Sequence, residues 1–173
     1  VPVGSSELMS IKTLHCEKVE TIQQALQFYL SSIEGVQIRS ACITTAGTVH
    51  LDAFKLANND WVINKSDVSS VLNNMQVSWI NDFNAQALAT TTLSDNDVVT
   101  IKAGIEQPDR LRLAIGPGTG LGVCGLISSS SGWVSVPTQS GHSDLAPNTS
   151  LEIEILTLFQ TTFGQFAVER GLA

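Results

Sequence analysis

Four glycines fall within the seven residues Gly116-Pro117-Gly118-Thr119-Gly120-Leu121-Gly122, and apolar, strand-like segments flank them, Leu111 to Ile115 before and Val123 to Ile127 after. Glycine carries no Cβ and tolerates positive φ, so such a run lets several backbone N–H groups converge on an anion. The chemistry indicated is the cradling of phosphate, with Gly116, Gly118, Thr119, Gly120 and Gly122 as the residues that would supply it. A Walker loop needs Gly-Lys-Ser/Thr and a following helix, and a dinucleotide turn needs a helix whose N-terminus meets the pyrophosphate. Neither pattern is present. Gly122 is followed by Val123-Cys124-Gly125-Leu126-Ile127, a turn over Ser128 to Gly132, and Trp133-Val134-Ser135-Val136, so the glycine run joins two strands of a β-meander. The alternative is a purely structural hairpin, although four glycines in seven residues exceed what a tight turn requires.

A second candidate is the pair Asn81-Asp82, which follows the alternating segment Val77-Ser78-Trp79-Ile80 and precedes the Ala-rich stretch Phe83 to Ala89. Strand ends and helix N-termini are where α/β folds place chemistry. Asp82 suits a general base and equally suits a helix N-cap. Asn81 can satisfy backbone groups, yet together the two side chains offer acceptors and an amide donor, which is what a pair of sugar hydroxyls needs. His142 lies in Gly141-His142-Ser143-Asp144, a loop with few apolar neighbours, with a buried structural histidine as the alternative. Gln139 and Glu169 carry no signal of their own. Trp61 and Trp79 read as core residues rather than ligand platforms.

The elements that must position these groups follow from periodicity and caps. Glu7 to Leu14 reads as a strand and Glu17 to Glu20 as a loop. Ile22, Ala25, Leu26, Tyr29, Leu30 and Ile33 recur at helical spacing, with Thr21 as N-cap and Gly35 as the stop. Ile38 to Thr44 reads as a strand ending at Gly47; an irregular stretch through Asn58-Asn59-Asp60-Trp61 follows, then a weak helix over Asp67 to Asn74. Thr90 to Asp97 is polar and uncapped and reads as a hinge. Thr149-Ser150-Leu151-Glu152 is a capping box opening a helix over Leu151 to Phe159, and Phe163 to Arg170 reads as the first turns of another.

Composition narrows the partners. Of 173 residues, 43% are hydrophobic and 14% charged, enough for a packed core. The net charge of −7, with Lys and Arg scattered singly, argues against a nucleic-acid groove or an anionic membrane surface and favours a polar small molecule. Cys16, Cys42 and Cys124 are far apart and odd in number, which suits neither a disulfide framework nor a zinc site; they read as reduced core residues of a cytoplasmic protein. No apolar stretch approaches the roughly 20 residues of a membrane span, and no secretory signal is read at the start.

A strand-glycine-strand phosphate hairpin is the device of the sugar kinase, actin and Hsp70 type of fold. The ordered set Ile80-Asn81-Asp82-Phe83, then Gly116 to Gly122, then Gly141-His142-Ser143-Asp144-Leu145-Ala146-Pro147, then Val168-Glu169-Arg170 resembles the bacterial glucokinase family over essentially the whole chain. Asn58 with Trp61 is similar to that family's Thr-Asn-x-x-Trp segment. The resemblance implies an α/β, two-lobed, actin-like ATPase (ribonuclease H-like) fold: a small α/β domain over residues 1–92 and the start of a larger α+β domain over 93–173. Sugar would bind in the cleft. It implies phosphoryl transfer from Mg2+-bound ATP to the 6-hydroxyl of glucose with Asp82 as base. Asn81, Asp82, Gln139, His142 and Glu169 match sugar-binding positions, and Gly118, Thr119 and Gly120 match the ATP-contacting hairpin. No protein residue is assigned to a metal. Dimers are common in that family, which leaves a homodimer open here.

Two departures bear on the transfer. Where the family has Gly-Glu-Gly-Gly-His, this chain has Thr138-Gln139-Ser140-Gly141-His142. A neutral Gln139 replaces a charge-assisted hydrogen bond by one roughly half as strong, so weaker glucose binding or a shifted sugar preference is expected. The family's opening Asp-x-Gly-Gly-Thr hairpin is not found, and the chain looks like the middle of such a kinase. The readings set beside glucokinase are a non-catalytic sugar-binding or regulatory relative and a kinase of the same fold for another hexose.

Overall fold

Thr21 opens the first helix, α1 (Ile22–Ser31), by accepting the Gln24 N–H on its side-chain oxygen. The helix ends at Ser31 with Ser32 as its C-cap, short of the stop expected at Gly35, which itself adopts φ of +78° beyond it. The computed structural model describes residues 1–2, 4–5, 7–33, 35–46, 49, 51–56, 60–105, 107, 110–117, 120–164 and 167–171. The chain divides into two compact units, Val1–Ala85 and Gln86–Ala173.

In the first unit β1 (Ala41–Thr45) pairs in parallel with β4 (Val77–Asn81). Side chains alternate across a strand, so the facing pairs Ala41 with Val77 and Ile43 with Trp79 present one apolar stripe. That stripe packs on buried Ile63, Val68 and Leu72, and the row Ile22, Leu26, Leu30 of α1 covers the same cluster. Trp79 is thus a core residue. A hairpin of β2 (Ala53–Lys55) and β3 (Val62–Asn64) occupies part of what reads as irregular in the sequence. Its segments are only three residues long, too short for periodicity to register, and they hold because Phe54 faces Ile63 and meets the Trp79 ring edge-on at 5.9 Å. Asn58 lies outside the described residues. Helix α2 (Lys65–Val71) is capped by Asn64, whose side chain accepts the Ser66 N–H. It ends earlier than expected because Asn73 and Asn74 turn left-handed, with φ of 55° and 56°, a conformation asparagine tolerates. The strand expected over Glu7 to Leu14 does not form: Leu8, Met9 and Ile11 are exposed, and no strand among the described residues supplies the ladder it would need. Helix α3 (Asp82–Ala89) follows β4 without a break and crosses the boundary between the units.

The second unit is built on an antiparallel meander, β5 (Arg112–Pro117), β6 (Leu121–Ser129) and β7 (Gly132–Pro137), as the glycine punctuation predicts. Cys124 and Leu126 of β6 are its buried apolar side chains. The Arg112 guanidinium lies 4.4 Å from the centre of the Trp133 ring. The segment after α3 is not uncapped: Ser94 and Asp97 form a reciprocal capping box on a 3-10 turn, Asp95–Asp97, and the Ser94 hydroxyl and N–H hold the Asp97 carboxyl below its ordinary range. Helix α4 (Ser150–Phe163) opens on the predicted Thr149–Glu152 box and runs further than expected, to Gly164 at φ of +82°. The helix expected over Phe163 to Arg170 is instead a 3-10 turn, Val168–Gly171, because Ala167 pairs with Asp144 as an isolated β-bridge and withdraws its backbone from a helix.

Two of the three cysteines lie outside the core expected of them. Cys16 sits in an exposed 3-10 turn and Cys42 faces outward on β1; only Cys124 is buried, where desolvation pushes its thiol above the ordinary value.

Candidate active site

At the carboxyl end of the parallel pair, Thr45 faces Asn81 across the ladder. Asn81 stands immediately before α3, so it and not Asp82 holds the capping position, and its Oδ1 accepts the Phe83 N–H at 2.9 Å. Asp82 Oδ1 shares that same N–H at 2.8 Å. The consequence is a division of labour within each side chain. One oxygen of each is fixed by the helix start, while the Asn81 amide nitrogen and Asp82 Oδ2 keep no partner among the described residues. A carboxylate at a helix N-terminus also gains from the helix dipole. The Thr45 hydroxyl next to this junction is buried and makes no hydrogen bond among the described residues.

The second constellation lies wholly in the second unit. Gly116 pairs with Gly122 and Pro117 with Leu121, so the glycine run is the tip of the β5–β6 hairpin; Gly118 and Thr119 lie outside the described residues. Gly116 and Gly122 are ladder residues, and the left-handed glycines of the described chain are elsewhere, at Gly4, Gly35, Gly132 and Gly164. What Gly120 provides is room: a Cβ there would stand 2.9 Å from Glu169 Oε2. That oxygen accepts the Leu121 N–H at 3.4 Å, and Glu169 Oε1 lies 3.4 Å from His142 Nε2. His142 is not the buried structural histidine that its sequence left open, since 63% of its side chain is exposed. It ends a 3-10 turn, Ser140–His142, whose Gly141 packs so closely on the Leu121 carbonyl that any Cβ would collide with it. The Val168 N–H donates to the Ser143 carbonyl at 2.9 Å, tying the turn that carries Glu169 to the one that carries His142. Gln139 is exposed, and its carbonyl accepts the His142 N–H at 2.9 Å. A family model of glucokinases matches residues 2–173.

The chain belongs to the glucokinase family. Glucokinases of Hahella chejuensis and Marinobacter nauticus are 36% and 37% identical to it over 97% and 99% of its length, and that of Sinorhizobium medicae is 41% identical over 88%. The chain covers 52%, 54% and 45% of those three proteins, so it spans about half the length of the curated relatives it matches. A glucokinase from an Antarctic psychrotroph superposes with a TM-score of 0.81 at 27% identity, over 93% of this chain and 50% of that one. A Balamuthia mandrillaris glucokinase solved with glucose superposes at 0.57 and 19% identity over 84% of this chain and 46% of that one, a likeness of fold alone. The α/β, actin-like sugar-kinase fold expected from the motifs is therefore the fold of this chain.

Within glucokinase-family terms, His142, Glu169 and Gly120 come together in the second unit, while Asn81 and Asp82 are held at one strand-helix junction of the first. Two contributors escaped the sequence reading. Thr138 donates from Oγ1 to the Val123 carbonyl at 2.7 Å and accepts the Ser140 N–H at 3.3 Å, anchoring the turn of Gln139 and His142 to β6. Gly141 was legible only as part of a motif, because its need for space arises from Leu121, twenty residues away along the chain.

Proposed function

We propose that this chain is the part of an ATP-dependent glucokinase that handles the sugar and one side of the phosphates, with Asp82 as general base. The observation that carries the reading is the β4–α3 junction: a carboxylate at a parallel strand end with one oxygen tied to its own helix and the other without a partner among the described residues. Asp82 Oδ2 takes the proton of the sugar 6-hydroxyl as that oxygen attacks the γ-phosphorus; the bond to the β–γ bridging oxygen breaks and ADP leaves. Such transfer depends on positioning and charge stabilisation more than on covalent chemistry. Asn81, Gln139, His142 and Glu169 bind sugar hydroxyls, and Gly116, Gly118, Thr119, Gly120 and Gly122 line the ATP phosphates. Mg2+ would travel with those phosphates. Among the described residues no group of three or more His, Cys, Asp or Glu side chains stands ready to hold it. Nor is any helix among them long and apolar enough to cross a membrane. The reading implies a cytoplasmic, glycolytic enzyme and leaves a homodimer open.

The test is glucose-dependent ADP formation by the whole protein with Mg-ATP, beside Asp82→Asn. The substitution is expected to lower kcat by about 10² to 10⁴ with glucose binding retained. Unchanged kcat removes Asp82 from the role; glucose binding without turnover on any hexose favours a non-catalytic sugar-binding relative. Gln139 supports a second reading, a kinase for another hexose, because its exposed neutral amide replaces the family's carboxylate. Gln139→Glu is expected to tighten glucose binding several-fold; an unchanged affinity and an unchanged ranking across a hexose panel would remove Gln139 from specificity.

A further inference from the structure

We infer that Glu169 is a positioning residue for the phosphate hairpin, so that sugar binding and nucleotide binding are coupled through its carboxylate. The inference rests on the proposed sugar and phosphate roles of the second unit. Its physical basis is the crowding around Leu121, the first residue of β6 after the hairpin tip. The Leu121 N–H donates to Glu169 Oε2 at 3.4 Å, and its carbonyl abuts Gly141. Glu169 Oε1 faces His142 at 3.4 Å, and the Val168 N–H and Ser143 carbonyl join the two turns at 2.9 Å. A Cβ at Gly120 would stand 2.9 Å from Glu169 Oε2, so the carboxylate would have to move aside for it.

Leu121 is tethered at its N–H by Glu169 and hemmed at its carbonyl by Gly141, so it cannot shift without displacing one of them. Sugar hydroxyls that draw the Glu169 carboxylate toward themselves therefore act on the Leu121 amide, and through it on the loop meant for phosphate. A nucleotide that holds Leu121 in place acts back on Glu169, since coupling between two sites is reciprocal.

Glucose is titrated calorimetrically against the whole protein, without nucleotide and with saturating Mg-ADP, for four forms: unsubstituted, Gly120→Ala, Glu169→Asp and the double variant. Thermal melts confirm that each is folded. In the unsubstituted protein Mg-ADP shifts the glucose Kd several-fold, and glucose shifts the Mg-ADP Kd by the same factor. Gly120→Ala, whose methyl group presses on the carboxylate, raises the glucose Kd by about tenfold although it sits on the nucleotide loop. In the Glu169→Asp background, where the shorter side chain clears the added Cβ, the same substitution changes the glucose Kd less than about twofold. Glu169→Gln, which keeps the volume and an acceptor oxygen but not the charge, diminishes the Mg-ADP effect on glucose by about half and serves if Gly120→Ala does not fold. Equal effects of Gly120→Ala in both backgrounds, no effect in either, or an undiminished Mg-ADP shift in Glu169→Gln overturns the coupling while leaving the kinase reading intact. No glucose binding by the unsubstituted protein overturns both.

Discussion

Asp82 and Glu169 are both carboxylates, and their surroundings separate them. Asp82 spends one oxygen on the N–H that begins its own helix, at 2.8 Å, whereas Glu169 spreads its two oxygens over the Leu121 amide and the His142 ring, each at 3.4 Å. The first arrangement leaves a defined free oxygen, as a base requires; the second leaves a carboxylate held by long contacts that a ligand hydroxyl can replace. Both residues were reached through motif order, and neither contact could be read from the neighbouring letters. Thr45 shows the opposite case. Its hydroxyl is buried opposite Asn81 with no hydrogen bond among the described residues, a cost that shape-preserving removal should relieve. Thr45→Val is expected to stabilise the protein by about 1 kcal/mol, seen as a raised denaturation midpoint at constant slope. A lowered midpoint would mean that a partner satisfies the hydroxyl in solution.

At the level of elements, local chemistry carried much of the prediction. Helices α1 and α4 begin where Thr21 and Thr149 provide caps, and the glycine-punctuated meander appears in the expected order. Thr149→Ala should cost about 1 kcal/mol of stability through the loss of the Glu152 N–H acceptor. The reciprocal half of that box titrates. The N–H groups of Asn148, at 2.6 Å, and Thr149, at 2.9 Å, hold the Glu152 carboxyl below its ordinary range. Folding thus favours the ionised carboxylate, so its contribution is complete above the unfolded value of about 4.3 and fades as pH falls through the lower folded value. Melting temperatures of the unsubstituted protein and Glu152→Gln should differ most above about pH 5 and converge in acid; a gap independent of pH would assign Glu152 no charge-dependent role. The elements that were misread depend on partners distant in sequence. The β2–β3 hairpin needs Trp79 for Phe54 to pack on, and the last turn gives up a helix for the Asp144–Ala167 bridge.

For the molecule as a whole, the division into two compact units, with Ile63, Val68 and Leu72 clustered in the first and Ala87, Cys124 and Leu126 buried in the second, predicts separable stability. Ile63→Ala removes a side chain only 1% exposed and should cost about 2–5 kcal/mol in the first unit. Hydrogen exchange should then quicken in β1, β4 and α2 and stay slow in β5, β6 and β7; equal quickening in both would reveal a single cooperative transition. Family and fold were legible at this scale because four short motifs in fixed order are local strings, and each demands a particular backbone: a strand-end Asn-Asp, a glycine hairpin, a Gly-His turn, a Glu after the last helix. The chain's own letters therefore determined the capped helices, the meander and the candidate residues. Tertiary structure alone decided that Gly120 and Gly141 leave room for neighbours rather than bending the chain, that Cys16 and Cys42 are exposed, and that Glu169 reaches the hairpin. Those facts depend on which atoms fill the space beside a residue, and close packing brings such atoms from segments that no local pattern connects.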